Sequence, residues 1–163
     1  MQLILDEFAQ KPRFKYDLMN HLKMAELRQK SGIKRICIIG YCYGAPISVR
    51  YGRGDAVSAF ATAHGKIRVP DDIEPLVRPG LFLCADKDFA FPDKDRFQAE
   101  AMLRTKMSKS GHGKDIDSYY KFKHYPGASH GFAVRADEAD EVAQRAFEDA
   151  FEQAMAFFQE HTK

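Results

Sequence analysis

The chain of 163 residues predicts an α/β fold, an open and mostly parallel sheet with helices on both sides. Three observations predict it. Runs of strand type recur around 34–39, 56–63 and 80–85, the last of them continuously apolar, as in parallel strands covered on both faces. Stretches with apolar residues at helical spacing lie between and beyond them. Finally, the run from Ile36 to Pro46 reads as strand, sharp turn and helix. There Gly-x-Cys-x-Gly follows the apolar residues, and Pro46 falls in the first turn of a helix, where its missing N–H costs nothing.

The elements follow in order. Phe14 to Lys30, with Leu18, Leu22 and Ala25 among helix-forming residues, predicts a helix closed by Ser31-Gly32. Lys34 to Ile39 predicts a strand, Ala45 to Tyr51 the helix after the turn, and Ala56 to Ala63 a strand of small residues. A loop carrying Pro70, Asp71, Asp72, Pro75 and Pro79 leads to the strand Gly80 to Ala85. Lys94 to Met107 is expected as a helix, and the polar stretch from Lys106 to Asp117, with Gly111 and Gly113, as a mobile loop. Ser118 to His124 reads as the next strand. From about Asp137 to His161, Val142, Ala146, Phe147, Ala150, Phe151, Ala154, Phe157 and Phe158 mark one face of a long terminal helix. There are no repeats, low-complexity tracts or linkers, so 1–163 is read as a single domain that buries roughly two-thirds of the surface its unfolded form exposes.

Composition narrows the function classes. A formal charge of +2, spread through the chain, leaves no basic stripe for nucleic acid. No apolar stretch has the length of a membrane span, and the amino terminus lacks the pattern of a secretory leader, which predicts a cytoplasmic chain with no membrane partner. Three cysteines are an odd number with no zinc spacing; Cys37 and Cys84 sit in apolar runs as small buried hydrophobes. Gly40 to Gly44 is neither a phosphate loop nor a dinucleotide fingerprint, because no Lys-Ser or Lys-Thr and no third glycine follow. Arg53-Gly54-Asp55 is read as a turn.

In open parallel sheets the chemistry gathers at the carboxyl ends of strands. Cys42 follows the first such strand, Asp86 and Asp88 the strand ending at Ala85, and His130 the strand ending near His124. Each interval is long enough for a crossover. At its turn Cys42 is forced into a strained geometry, flanking glycines make room, and the helix N-terminus favours a thiolate there. His130 stands in the turn-rich run Pro126 to Phe132. Either Asp86 or Asp88 suits the third place. The order nucleophile, acid, base is that of the α/β-hydrolase architecture, in which His is the base and the carboxylate fixes its tautomer. His64, after the strand ending at Ala63, also faces this edge, where it lines the pocket or caps the loop; it is left out of the catalytic set.

Three ordered motifs carry a resemblance: Gly-Tyr-Cys-Tyr-Gly at 40–44, Ala-Asp-Lys-Asp at 85–88 followed by Phe91-Pro92, and Ser-His-Gly-Phe-Ala-Val-Arg at 129–135. From about Lys34 to Thr162 the chain resembles the dienelactone hydrolases, most nearly the fungal type. The resemblance implies a hydrolase of small esters or lactones, with Cys42, Asp88 and His130 as catalytic triad and Asp88 preferred over Asp86. It further implies an oxyanion N–H from Tyr43 and no metal or organic cofactor. Tyr41, Tyr43, Phe89, Phe91, Phe132 and Arg135 flank the motifs and are expected to shape the pocket, Arg135 by pairing with a substrate carboxylate. Family members begin with further strands and a helix that have no counterpart here, together with a second oxyanion donor and a glutamate that acts on the resting thiol. The amino-terminal part of the sheet is therefore expected to be absent. That would leave the Cys42 strand at an open edge, to be covered by Met1 to Phe8 or by a second copy in a homodimer. Two rival readings are a shortened, catalytically impaired relative acting by binding or dimerisation, and a class I glutamine amidotransferase. The latter also carries Gly-x-Cys-x-Gly, but its base is followed two residues later by Glu, where this chain has Phe132.

Overall fold

A computed structural model describes residues 33–110, 116–137 and 139–163, and Cys37–Lys163 forms one compact unit. The helix expected over Phe14 to Lys30, and the pairing proposed for Met1 to Phe8, lie outside the described residues. Four strands form one parallel sheet whose spatial order is the chain order: β1 (Cys37–Tyr41), β2 (Ala59–Ala63), β3 (Gly80–Lys87) and β4 (Tyr120–Ser129). Helix α1 (Ala45–Tyr51) joins β1 to β2, and α2 (Asp93–Lys109) with the short α3 (Ile116–Tyr119) joins β3 to β4. A turn-rich segment joins β2 to β3, and α4 (Glu141–Glu160) closes the chain. Among the described residues β1 is an edge strand.

Successive residues of a strand face opposite sides of the sheet, and here both sides are covered. On one face Ala59, Ala61 and Ala63 of β2 and Leu81, Leu83 and Ala85 of β3 meet Ala146, Ala150, Ala154 and Phe157 of α4. These α4 residues are spaced so that they share one side of the helix, and alanine against alanine lets helix and sheet approach closely. On the other face Phe60, Phe82 and Cys84 pack with Val49, Ile73, Leu76, Phe91 and Leu103. The Phe60 and Phe82 rings meet edge to face at 5.7 Å, and Phe82 stacks on Phe122 at 4.4 Å.

Several boundaries differ from the expectation, each for a tertiary reason. β1 runs two residues further, through Gly40 and Tyr41, because these pair with Thr62 and Ala63 of β2. The Lys106 ammonium, donating to the Glu74 and Leu76 carbonyls at 2.8 and 2.5 Å, ties the last turns of α2 to the β2–β3 connection. The expected loop therefore begins later, since 106–109 are helical and 116–119 form α3; 111–115 lie outside the described residues. Helix α4 starts at Glu141 rather than near Asp137, because the Asp140 carboxylate accepts from the N–H groups of Val142 and Ala143 at 2.9 and 3.1 Å. β4 does not stop at His124. A register shift opposite Ala85–Lys87, with Gly127 at φ 80°, carries the pairing on to Lys87 and Ser129.

The turn after β1 is tight enough to exclude a methyl group. A Cβ on Gly40 would collide with the Gly44 carbonyl and with Ser48 Oγ, which donates to the Ala45 carbonyl at 2.9 Å. Gly40→Ala is expected to destabilise the chain by about 1–3 kcal/mol, the usual cost of overpacking. Urea unfolding measures it, and an unchanged midpoint would contradict this account of the turn.

Candidate active site

The carboxyl ends of the strands bring the chemistry together. Cys42 opens a 3-10 turn, Cys42–Gly44, between extended Tyr41 and helical Ala45, and its own φ of 48° lies in the left-handed region. That conformation costs a non-glycine residue on the order of 1–3 kcal/mol and leaves the Cys42 side chain exposed. The other two cysteines differ. Burial pushes the Cys84 thiol far above its ordinary range and raises that of Cys37, so both are packing residues.

The β3–β4 register places the remaining groups. With Lys87 paired to Ser129, the next residue on each strand stands beside the other, and the His130 N–H donates to the Lys87 carbonyl at 3.3 Å. The His130 ring then bridges two side chains: Nδ1 lies 2.8 Å from Asp88 Oδ1 and Nε2 lies 3.4 Å from Cys42 Sγ. Asp88 is buried, and its Oδ1 also accepts the Ala90 N–H at 2.8 Å. A carboxylate at Nδ1 selects the tautomer with its proton there, which turns the Nε2 lone pair toward the thiol. Asp86 takes another place. Its carboxylate faces His124 at 3.4 Å and accepts the Gly127 N–H at 3.2 Å, so it braces the bulge in β4.

The flanking residues separate into rim, groove and core. Phe89 is 84% exposed, with its ring 4.6 Å from that of His130, and Tyr43, the residue after Cys42 in the chain, is 60% exposed. Arg135 is exposed and, among the described residues, has no ion-pair partner. Tyr41 is half-buried and lines a groove of about 430 Å³ with Val134, Phe147 and Phe151. Phe91 and Phe132 are core residues: Phe91 packs with Phe82, and the Phe132 ring lies 4.8 Å from Tyr125. The turn at Gly131, φ 96°, folds the Phe132 side chain inward.

One residue that the sequence set aside stands at the centre of the site. His64 follows β2 directly, has φ 38° and is 2% exposed, and neither ring nitrogen has a hydrogen-bond partner. Its ring meets His130 edge-on at 5.2 Å and Phe132 at 5.7 Å. Its position at the same strand edge as Cys42 and His130 was the available signal. Donor atoms of Cys42, His64 and His130 all lie within 4.8 Å of one another, the one such cluster of metal-binding side chains among the described residues.

The Dienelactone hydrolase family model matches residues 2–162. The chain belongs to the dienelactone hydrolase family. Hydrolase pyvD of Aspergillus violaceofuscus is 28% identical to this family member over 140 residues, 86% of this chain and 53% of that protein. Hydrolase tropI of Talaromyces stipitatus is 29% identical over 140 residues, 86% of this chain and 51% of that protein. The human carboxymethylenebutenolidase homolog is 28% identical over 127 residues, 76% and 47% of the respective chains. The chain thus spans about half the length of these relatives. Two solved structures share the α/β-hydrolase fold at low identity. A putative dienelactone hydrolase from Klebsiella pneumoniae aligns with a TM-score of 0.63, 20% identity and coverage of 98% of this chain and 67% of that one. Esterase PE8 aligns at 0.53 with 18% identity, covering 86% and 61%. The family match extends to the amino-terminal side of Lys34, where the three motifs do not reach.

Burial, followed by the electrostatic influence of the neighbouring His130, lowers the pKa of His64 to about 4. An unfolded histidine titrates near 6.5. Between these values the unfolded chain binds the proton and the folded chain does not, so stability falls as pH drops through that window and is unaffected above it. Urea unfolding from pH 7 to pH 4 is expected to show this decline. His64→Asn, which tolerates the left-handed backbone, should reduce the slope by up to one proton, and an unaltered slope would contradict the assignment.

Proposed function

We propose that this member of the dienelactone hydrolase family cleaves a small carboxylic ester or lactone through a thioester on Cys42. The reading rests chiefly on the contact chain Cys42 Sγ to His130 Nε2 at 3.4 Å and His130 Nδ1 to Asp88 Oδ1 at 2.8 Å. Family membership adds hydrolase chemistry.

In this mechanism His130 Nε2 takes the thiol proton as Sγ bonds to the substrate carbonyl carbon, and negative charge moves onto the carbonyl oxygen. Tyr43 follows the nucleophile, the position that supplies an oxyanion N–H in this architecture. Collapse of the tetrahedral species breaks the carbon–oxygen bond, and His130 returns the proton to the departing alkoxide, which in a lactone stays attached. Water then attacks the thioester with His130 as base, releasing the carboxylic acid and the thiol. Asp88 stays ionised throughout and orients the imidazole. Arg135 at the rim is proposed to pair with a carboxylate elsewhere on the substrate, and exposed Phe89 and Tyr43 to provide its apolar walls.

With p-nitrophenyl acetate as substrate, Cys42→Ala is expected to abolish the burst of p-nitrophenol and the acetyl adduct seen by intact mass. Turnover undiminished in that variant would overturn the proposal. Asp88→Asn keeps the packing but not the tautomer, and its kcat should fall on the order of 10³ to 10⁴-fold.

A further inference from the structure

We propose that Cys42, His64 and His130 together bind a zinc ion that blocks the nucleophile, making the site sensitive to inhibition by this metal. The inhibition rests on the hydrolase reading above, whereas the binding does not.

The donor set comes first. One sulfur and two imidazoles suit a borderline-soft ion such as Zn²⁺ and not Mg²⁺ or Ca²⁺, which take oxygen ligands. Bond lengths of about 2.3 Å to sulfur and 2.0–2.1 Å to nitrogen set tetrahedral donors about 3.4–3.6 Å apart. The Cys42–His130 pair, at 3.4 Å, already has that spacing. All three donors fall within 4.8 Å of one another, so closure needs movements of roughly an ångström.

Three features point to a ligand rather than to a chance cluster. His64 is 2% exposed, yet both ring nitrogens lack a hydrogen-bond partner, and a buried polar group in that condition is costly unless something completes it. The Asp88 carboxylate on Nδ1 of His130 leaves Nε2 as the donor, the carboxylate–histidine arrangement that orients ligands around zinc. Cys42 is exposed, so the ion has a route from solvent, and its fourth position stays open to water. Zinc takes the sulfur as thiolate and one proton leaves the Cys42–His130 pair for solvent, with no change of oxidation state. The Sγ and Nε2 lone pairs needed for attack and proton transfer are then engaged on the metal.

Competition between the purified 163-residue chain and a chromophoric chelator for Zn²⁺ should give one ion per chain. Cys42→Ser and His64→Asn should each weaken binding by at least about tenfold, the usual loss when a metal site is disturbed. Co²⁺ bound to the unmutated chain should show a thiolate-to-cobalt charge-transfer band, a readout that needs no variant. Hydrolysis of p-nitrophenyl acetate should fall in step with zinc occupancy and recover with EDTA. Absence of the cobalt band, or zinc bound as tightly by His64→Asn as by the parent chain, would overturn the inference and leave the hydrolase proposal standing. A parent chain that binds zinc through the thiolate while Cys42→Ala keeps full turnover would instead overturn the hydrolase proposal.

Discussion

Parallel pairing in chain order is the constraint on which this structure depends. A strand that must lie parallel to its predecessor returns to the same end of the sheet before it starts, so every carboxyl end falls on one edge. Cys42, His64, Asp88 and His130 all follow strand ends, and they meet although the chain separates them widely. The edge is held from both sides by different means. Alanine-on-alanine contact seats α4 against one face, and interlocked phenylalanines fill the other. Shifting a strand by one residue would exchange its two faces, so the packing that stabilises the sheet also fixes the position of the site.

Fine placement comes from departures from regular structure. Cys42 and His64, the non-glycine residues with positive φ among those described, are both at the site. The bulge in β4 advances the pairing so that His130 stands beside Asp88, and Asp86 braces that bulge through the Gly127 N–H. Two acidic residues two positions apart thus do different work. One shapes the backbone that delivers the imidazole, and the other holds the imidazole itself.

His64 shows how an active edge combines conflicting demands. A neutral imidazole enclosed among Tyr41, Phe132 and His130 extends the apolar packing toward Cys42. Its unpartnered nitrogens carry an energetic cost that a purely structural residue such as phenylalanine would avoid. Retained beside a thiol and a second imidazole, the same nitrogens become potential ligands.

By itself the sequence determined the α/β class, the strand–turn–helix at Cys42, the bounds of α1 and the placing of Cys42, Asp88 and His130 after strands β1, β3 and β4, because these are set by local periodicity, glycine placement and chain order. The resemblance carried by the three motifs led to the family that the comparison then established. Tertiary structure alone decided the rest. Pairing partners set the true ends of β1 and β4, since a strand's extent is defined by the neighbour it bonds to. The β3–β4 register gave Asp86 and Asp88 their separate places, which two exposed-looking acids in one loop do not reveal locally. Phe132 went to the core because the turn at Gly131 folds it inward, and His64 joined the site because burial and unsatisfied polarity are properties of the packed chain, not of the residue.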